Sequence, residues 1–230
     1  MTLGLLCAIK GVGNRAFHRW VRRDYLSLFP YLPELPERTR LFRLFATHQH
    51  CADAFLAQPT AMGVADSYGI ELIHPMREDR SEWQIGRKGL SNHRWIVGAK
   101  FAYLLNQYGL IVAWESADAG MADNGFAPLI AEFADEMVIF ADTGFHSKDG
   151  DPPNMKVCKR GTWNNRMMVE TVLSMLTEQC GLKKVSERSW AGLNARLAFT
   201  MALFNIAVLW DGLMVDDNGM IHFTMAQFSL

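Results

Sequence analysis

Three acids stand where carboxylates can do chemistry. Asp66 lies inside the largely apolar run Met62–Ile73. Asp142 directly follows the apolar run Met137–Ala141, in Phe140-Ala141-Asp142-Thr143-Gly144-Phe145-His146. Glu170 closes Trp163-Asn164-Asn165-Arg166-Met167-Met168-Val169-Glu170. A carboxylate within an apolar strand is costly unless it is paired or bound to a cation. Two carboxylates brought close repel each other unless a hard cation such as Mg²⁺ sits between them, and such a cation takes oxygen ligands. Each acid also has an ordinary explanation: Asp66 beginning a turn with Ser67, Asp142 capping the loop before Gly144, Glu170 pairing with Arg166 one helical turn away.

Other reactive side chains point less firmly to a site. His146 follows Asp142 within reach of a metal or a phosphate. His48 and Cys51 share a helical face beside His50, but two ligands do not make a zinc site. Asp118 and Asp123 read as loop acids, with Asp123 expected to cap a helix beginning near Asn124, and Asp135 and Glu136 as a turn. Ser67 and Ser81 have no base partner in the sequence, which argues against a serine hydrolase. Cys7, Cys51, Cys158 and Cys180 form no C-x-x-C pair and read as thiols in a reducing compartment.

The elements that must position the three acids follow from the pattern. Residues 1–60 read as a helical segment, with helices expected around Ala16–Leu28 and Arg38–Ala57, interrupted by the prolines at 30, 33 and 36. From Met62 the texture changes. Met62–Ile73, Arg94–Leu105 and Leu110–Ser116 read as strands, the last two joined by the turn Asn106-Gln107-Tyr108-Gly109. A helix is expected over Asn124–Ala134. The unalternating run Met137–Ala141 suits a strand covered on both faces, and Met155–Cys158 a further short strand. Helices are expected over Asn164–Gln179, ended by Gly181, and over Trp190–Leu213. Three antiparallel strands followed by a helical crossover into strands beside the first is a ribonuclease-H-like α/β arrangement, placed in a domain spanning 61–230. In it the first and fourth strands are neighbours, which brings Asp66 to Asp142 at the carboxyl end of the sheet.

Charge gives a weaker signal. The chain of 230 residues has a formal net charge of -1. Basic residues gather in 1–45 and 144–200, with acids dominating between, a distribution that suits a polyanion partner around a negative pocket. No secretory signal is evident. The apolar run Leu197–Trp210 is too short to span a bilayer and reads as a buried helix. A cytoplasmic, nucleoid-associated protein without membrane attachment is expected.

Taken in order, these pieces resemble the DDE-type transposases of bacterial insertion sequences. The resemblance runs from about Ala61 to the C-terminus, through Val64-Ala65-Asp66-Ser67, Arg77 and Arg80, Gly98-Ala99-Lys100, Asp142-Thr143-Gly144-Phe145 and Arg166-x-x-x-Glu170. It departs from the family where a Tyr often stands three residues before the Arg, here Trp163, and where a Lys often stands seven after the Glu, here Thr177. Trp163 can still stack on a base or sugar. Thr177 cannot replace a charged phosphate contact, for which nearby Lys183 and Lys184 are the substitutes.

The resemblance implies that Asp66, Asp142 and Glu170 hold two Mg²⁺ (or Mn²⁺) ions for DNA cleavage and strand transfer at the element's ends. It implies DNA contacts from Lys159, Arg160, Trp163 and Arg166, and a homodimer on double-stranded DNA. Such transposases usually carry a longer N-terminal region. Residues 1–60 are therefore expected to be a remnant of a DNA-binding or dimerising part. The alternative functions are a truncated, non-catalytic copy that binds DNA or a partner, and a ribonuclease-H-like nuclease without strand joining.

Overall fold

Met62–Ile73 form β1, the strand around which the sheet is built. The computed structural model describes residues 1–29, 34–91, 94–158 and 166–212, with side chains from 168 in the last stretch, and the backbone of 214–215 and 221–222. β2 (Arg87–Ser91), β3 (Arg94–Asn106) and β4 (Ile111–Asp118) lie to one side of β1. β3 runs antiparallel to β1, with Asp66 opposite Tyr103. The first part of β3 pairs with β2 and the rest with β4, both antiparallel. On the other side, β5 (Val138–Ala141) is parallel to β1, and β6 (Met155–Val157) is parallel to β5. The protein is thus an α/β fold with a mixed sheet flanked by helices. A separate antiparallel pair joins β7 (Met214–Val215) to β8 (Ile221–His222).

Strand alternation divides the sheet between two cores. Val64 and Ile70 of β1, with Phe101 and Tyr103 of β3, face one side. There they meet Val169 and Val172 of α5 (Arg166–Ser174) and Leu197, Met201 and Phe204 of α6 (Trp190–Asp211). Ala65, Ala102 and Leu104 face the other side, against Phe126 and against Leu129 and Ile130 of α4 (Ala127–Ala131). The expected helix over Asn124–Ala134 is shorter than its pattern, a 3₁₀ turn over Asp123–Phe126 leading into α4. The helix expected to reach Gln179 passes into a π turn over Met175–Gln179, and Gly181 follows in the left-handed conformation at φ 66°.

α6 decides how much of the chain shares one core. Ser189 caps it, its Oγ accepting from the Gly192 N–H at 3.1 Å. At 22 residues it is long and apolar enough to cross a bilayer, so length does not exclude a span as the sequence suggested. Burial argues for a core helix, since 78% of its apolar window is packed inside the protein. Asn205, in the middle of this helix, accepts from Ile111 N–H at 2.8 Å and donates to the carbonyls of Ile111 (2.8 Å) and Phe55 (2.9 Å). Arg196, also buried, donates to the carbonyls of Cys7 and Cys180.

The N-terminal residues form α1 (Thr2–Lys10), α2 (Asn14–Trp20) running on into irregular helix as far as Leu28, α3 (Arg38–Thr47) and a 3₁₀ stretch, Gln49–Phe55. Gly11, at φ 64°, ends α1 with its N–H on the Cys7 carbonyl. Ala8 and Ala52 lie in the same core as α5 and α6, while Phe17, Val21 and Leu41 form a smaller cluster among these helices.

Candidate functional site

The register of β1 and β5 governs the position of two of the three acids. Val64 is the partner of Phe140 in that parallel pair. Asp66 lies two residues beyond that pair in β1, and Asp142 directly follows the end of the neighbouring β5. Asp142 therefore stands at the carboxyl end of β5, where α/β sheets gather functional groups. Its Oδ1 accepts from the Gly144 N–H at 2.8 Å, so the capping role is also real.

Asp66 is half-buried, and its Oδ1 accepts from the Ser67 N–H at 2.8 Å. It lies on the α5 side of the sheet, over the fully buried Tyr103. Burial pushes the Tyr103 phenol well above its ordinary pKa, and the nearby Asp66 carboxylate pushes it the same way. The phenol oxygen makes no hydrogen bond of good geometry, so charge proximity is the firmer description of that contact. Glu170 lies on α5 on this same side. Its neighbour Val169 is buried in the core and Glu170 itself is exposed.

Asp123 is the residue that sequence reasoning misplaces. It caps no helix: the 3₁₀ turn it begins has no side-chain cap. Its Oδ1 instead accepts from Ser67 Oγ at 2.6 Å and from the nearly buried Lys100 Nζ at 2.9 Å. A Cβ added at Gly144 would lie 2.7 Å from Asp123 Oδ2 and 3.0 Å from Asp142 Oδ1, so these two carboxylates are within about 6 Å of each other. Glycine at 144 leaves them that room. The partners of Asp123 are 56 and 23 residues away in the chain, and only the sheet brings them together. The signal within the sequence is Lys100 itself, a cation in an apolar strand that demands an acid.

The donor set has the chemistry a hard divalent cation takes, since all its members are carboxylates. Among the described residues, however, no three His, Cys, Asp or Glu side chains come close enough together to hold one ion. Asp66 and Asp142 thus belong to neighbouring strands, and Glu170 to the helix that covers the Asp66 side of the sheet. Of the expected DNA contacts, Lys159, Arg160 and Trp163 lie outside the described residues. Arg166 opens α5, and its side chain lies outside them as well.

The remaining candidates fall into local roles. His146 Nδ1 is 2.8 Å from Asp151 Oδ2, and the Asp151 carboxyl is held below its usual range by the Ser147 N–H first and by His146 second. Cys51 and His50 lie 3.7 Å apart at the surface. Burial pushes the thiol of Cys7 up to about 11 and that of Cys180 to about 12. Compared with known proteins, the chain matches no protein-family model and no curated protein.

Proposed function

We propose that the protein is the catalytic part of a DDE-type transposase, a ribonuclease-H-like domain that cleaves and joins DNA at the ends of an insertion sequence. The observation that supports this reading is the parallel pairing of β1 with β5, which puts Asp66 and Asp142 on neighbouring strands of a sheet in which β1 lies between β3 and β5. A sheet with β3 antiparallel to β1, and β5 and β6 parallel to it, is compatible with a ribonuclease-H-like arrangement. Glu170, on the helix that covers the Asp66 side, would be the third carboxylate of this reading.

Asp66, Asp142 and Glu170 would hold two Mg²⁺ or Mn²⁺ ions. When bound, the ions supply activation of the attacking oxygen and stabilisation of the leaving one. The chain's own part is to hold the carboxylates in place. The Ser67 N–H fixes Asp66, the Gly144 N–H fixes Asp142, and the Lys100–Asp123–Ser67 contacts pin β1 directly beside Asp66. Double-stranded DNA is the substrate in this reading, engaged by a homodimer.

A second reading, a non-catalytic copy that keeps the fold and binds DNA or a partner, draws support from Thr177, an uncharged residue where the family often carries a Lys. One assay decides between them. A supercoiled plasmid carrying the DNA that flanks this gene is incubated with the full chain and Mn²⁺ or Mg²⁺. A transposase nicks it, and Asp142→Ala and Glu170→Ala each lower the rate by about 100-fold or more. Nicking by Asp142→Ala at the wild-type rate would refute the transposase reading, and no nicking by the wild type would favour the second.

A further inference from the structure

Asp66 and Asp142 lie on the interior strands β1 and β5, and the β2 edge of the sheet carries an unexplained surface. β2 presents Arg87 and Lys88, both exposed, and beside them stands Trp95 of β3, 60% exposed. Lys88 Nζ lies 5.5 Å from the centre of the Trp95 ring, and the exposed Leu90 is the cross-strand partner of Trp95. Where β2 gives way to β4 along the edge of β3, an open groove of about 620 Å³ is lined by Arg87, Lys88, Ser116, Asp118, Trp190 and Asn194. Aromatic, cation and aromatic therefore follow one another, with Lys88 shared between the Trp95 stack and the groove.

Trp95 is largely exposed, while Trp190 is partly buried against the core that α6 covers and offers the groove one side of its ring. Exposed apolar side chains rimmed by charge mark interaction surfaces. The segment leading into β2 adds Trp83, 81% exposed, and the exposed Arg77 and Arg80, which form no ion pair among the described residues. Of the nearby acids, Glu78 lies 3.9 Å from Lys88 and Asp118 lies 4.0 Å from Arg87, while Asp79 and Glu82 are exposed on the same segment. The groove is polar and the patch is small, unlike the apolar core of a stable protein interface.

We propose that this edge, from Trp95 through Lys88 and Arg87 to Trp190, is a binding track for single-stranded DNA. Every base offers a face to a tryptophan ring once it is unpaired, and a cation beside the ring takes the neighbouring phosphate. The groove opens beside Gly98 and Ala99 of β3, whose partners on β1 are Glu71 and Ile70. It therefore lies about 15 Å beyond Asp66 along the strand direction, two strands over. A strand released by cleavage at the acids can span that distance in a few nucleotides. The inference rests on the transposase reading only in taking DNA as the polymer.

The test is fluorescence anisotropy of a fluorescein-labelled twenty-residue oligothymidine with the full chain in EDTA, where no metal-dependent step takes place. Trp95→Ala and the double variant Arg87→Ala/Lys88→Ala each weaken binding by about tenfold. The double variant also lowers the slope of log affinity against log salt by about 1.4, the value for two phosphate contacts on a single strand. Trp210→Ala, which removes an equally prominent tryptophan at the far end of α6, leaves affinity within about twofold. Circular dichroism checks that each variant is folded. The proposal is overturned if the wild type does not bind the oligomer, if the track variants bind as the wild type does, if Trp210→Ala weakens binding equally, or if a duplex competes as well as the single strand. Asp142→Ala must bind the oligomer normally. Absence of plasmid nicking by the wild type, with intact binding at the track, would remove the transposase reading and leave the track standing.

Discussion

Replacing Lys100 by methionine tests the contact that pins β1 at the site. Lys100 Nζ sits 2.9 Å from Asp123 Oδ1, with 11% of the Lys side chain and 27% of the Asp side chain exposed. Breaking a buried pair by removing one partner costs about 3–5 kcal/mol, because the remaining charge loses its compensation. Asp123 retains some contact with water and keeps Ser67 as a donor, so the expected cost is lower, about 2 kcal/mol. The nearby Asp142 carboxylate adds repulsion in the same direction. Lys100→Met/Asp123→Leu removes both charges and is expected to recover most of that loss. Urea unfolding of the two single variants and the double variant forms a thermodynamic cycle with a coupling of about 1–2 kcal/mol, little changed between 0.1 and 0.5 M salt because the pair is shielded. A Lys100→Met cost below about 0.5 kcal/mol, or a double variant weaker than the sum of the singles, would refute the reasoning.

Asn205→Leu strands the Ile111 N–H in the core and removes both carbonyl contacts, and it is expected to lower stability by about 3 kcal/mol in the same denaturation assay. The Lys184 ammonium, 2.8 Å from Glu71, holds the Glu71 carboxyl below its ordinary value of 4.5. That contribution is present above pH 4.5 and is lost as pH falls through the lower folded value, so Glu71→Gln flattens the acid limb of a stability–pH curve below pH 4.5. Cys7 and Cys180 are expected to resist a thiol-specific reagent at pH 8 until the chain is unfolded, whereas the exposed Cys51 reacts at once, as a reagent time course would record.

The strands that carry strong patterns are legible in the amino-acid order alone. Met62–Ile73 matches its expected bounds, and β3, β4, β5 and β6 fall within two residues of theirs. β2 gives no such signal, because Arg87-Lys88-Gly89-Leu90-Ser91 is short and has neither alternation nor β-branched residues. Its place in the sheet comes from pairing with β3, which no local pattern reveals. Asp123 is deceptive for a similar reason. An acid before a helix looks like a cap, and the competing attraction of Lys100 and Ser67 is set by tertiary contact. At the site, the placement of Asp66 and Asp142 on neighbouring strands is readable from strand order. The distance of Glu170 from them depends on how α5 packs on the sheet, which sequence spacing does not fix.

Asn205 also bears on how the chain is made. It joins Phe55, Ile111 and α6, residues separated by up to 150 positions. A growing chain would have emerged past all six strands of the main sheet before the helix that covers their larger apolar face was released. Until then, the faces of β1 and β3 that α5 and α6 cover would be exposed to chaperones and to other nascent chains. Contacts this distant are formed late and slowly. Synthesis that stalls before α6 would therefore be expected to give aggregation rather than a partial fold, so the sheet and its last long helix mature as one unit.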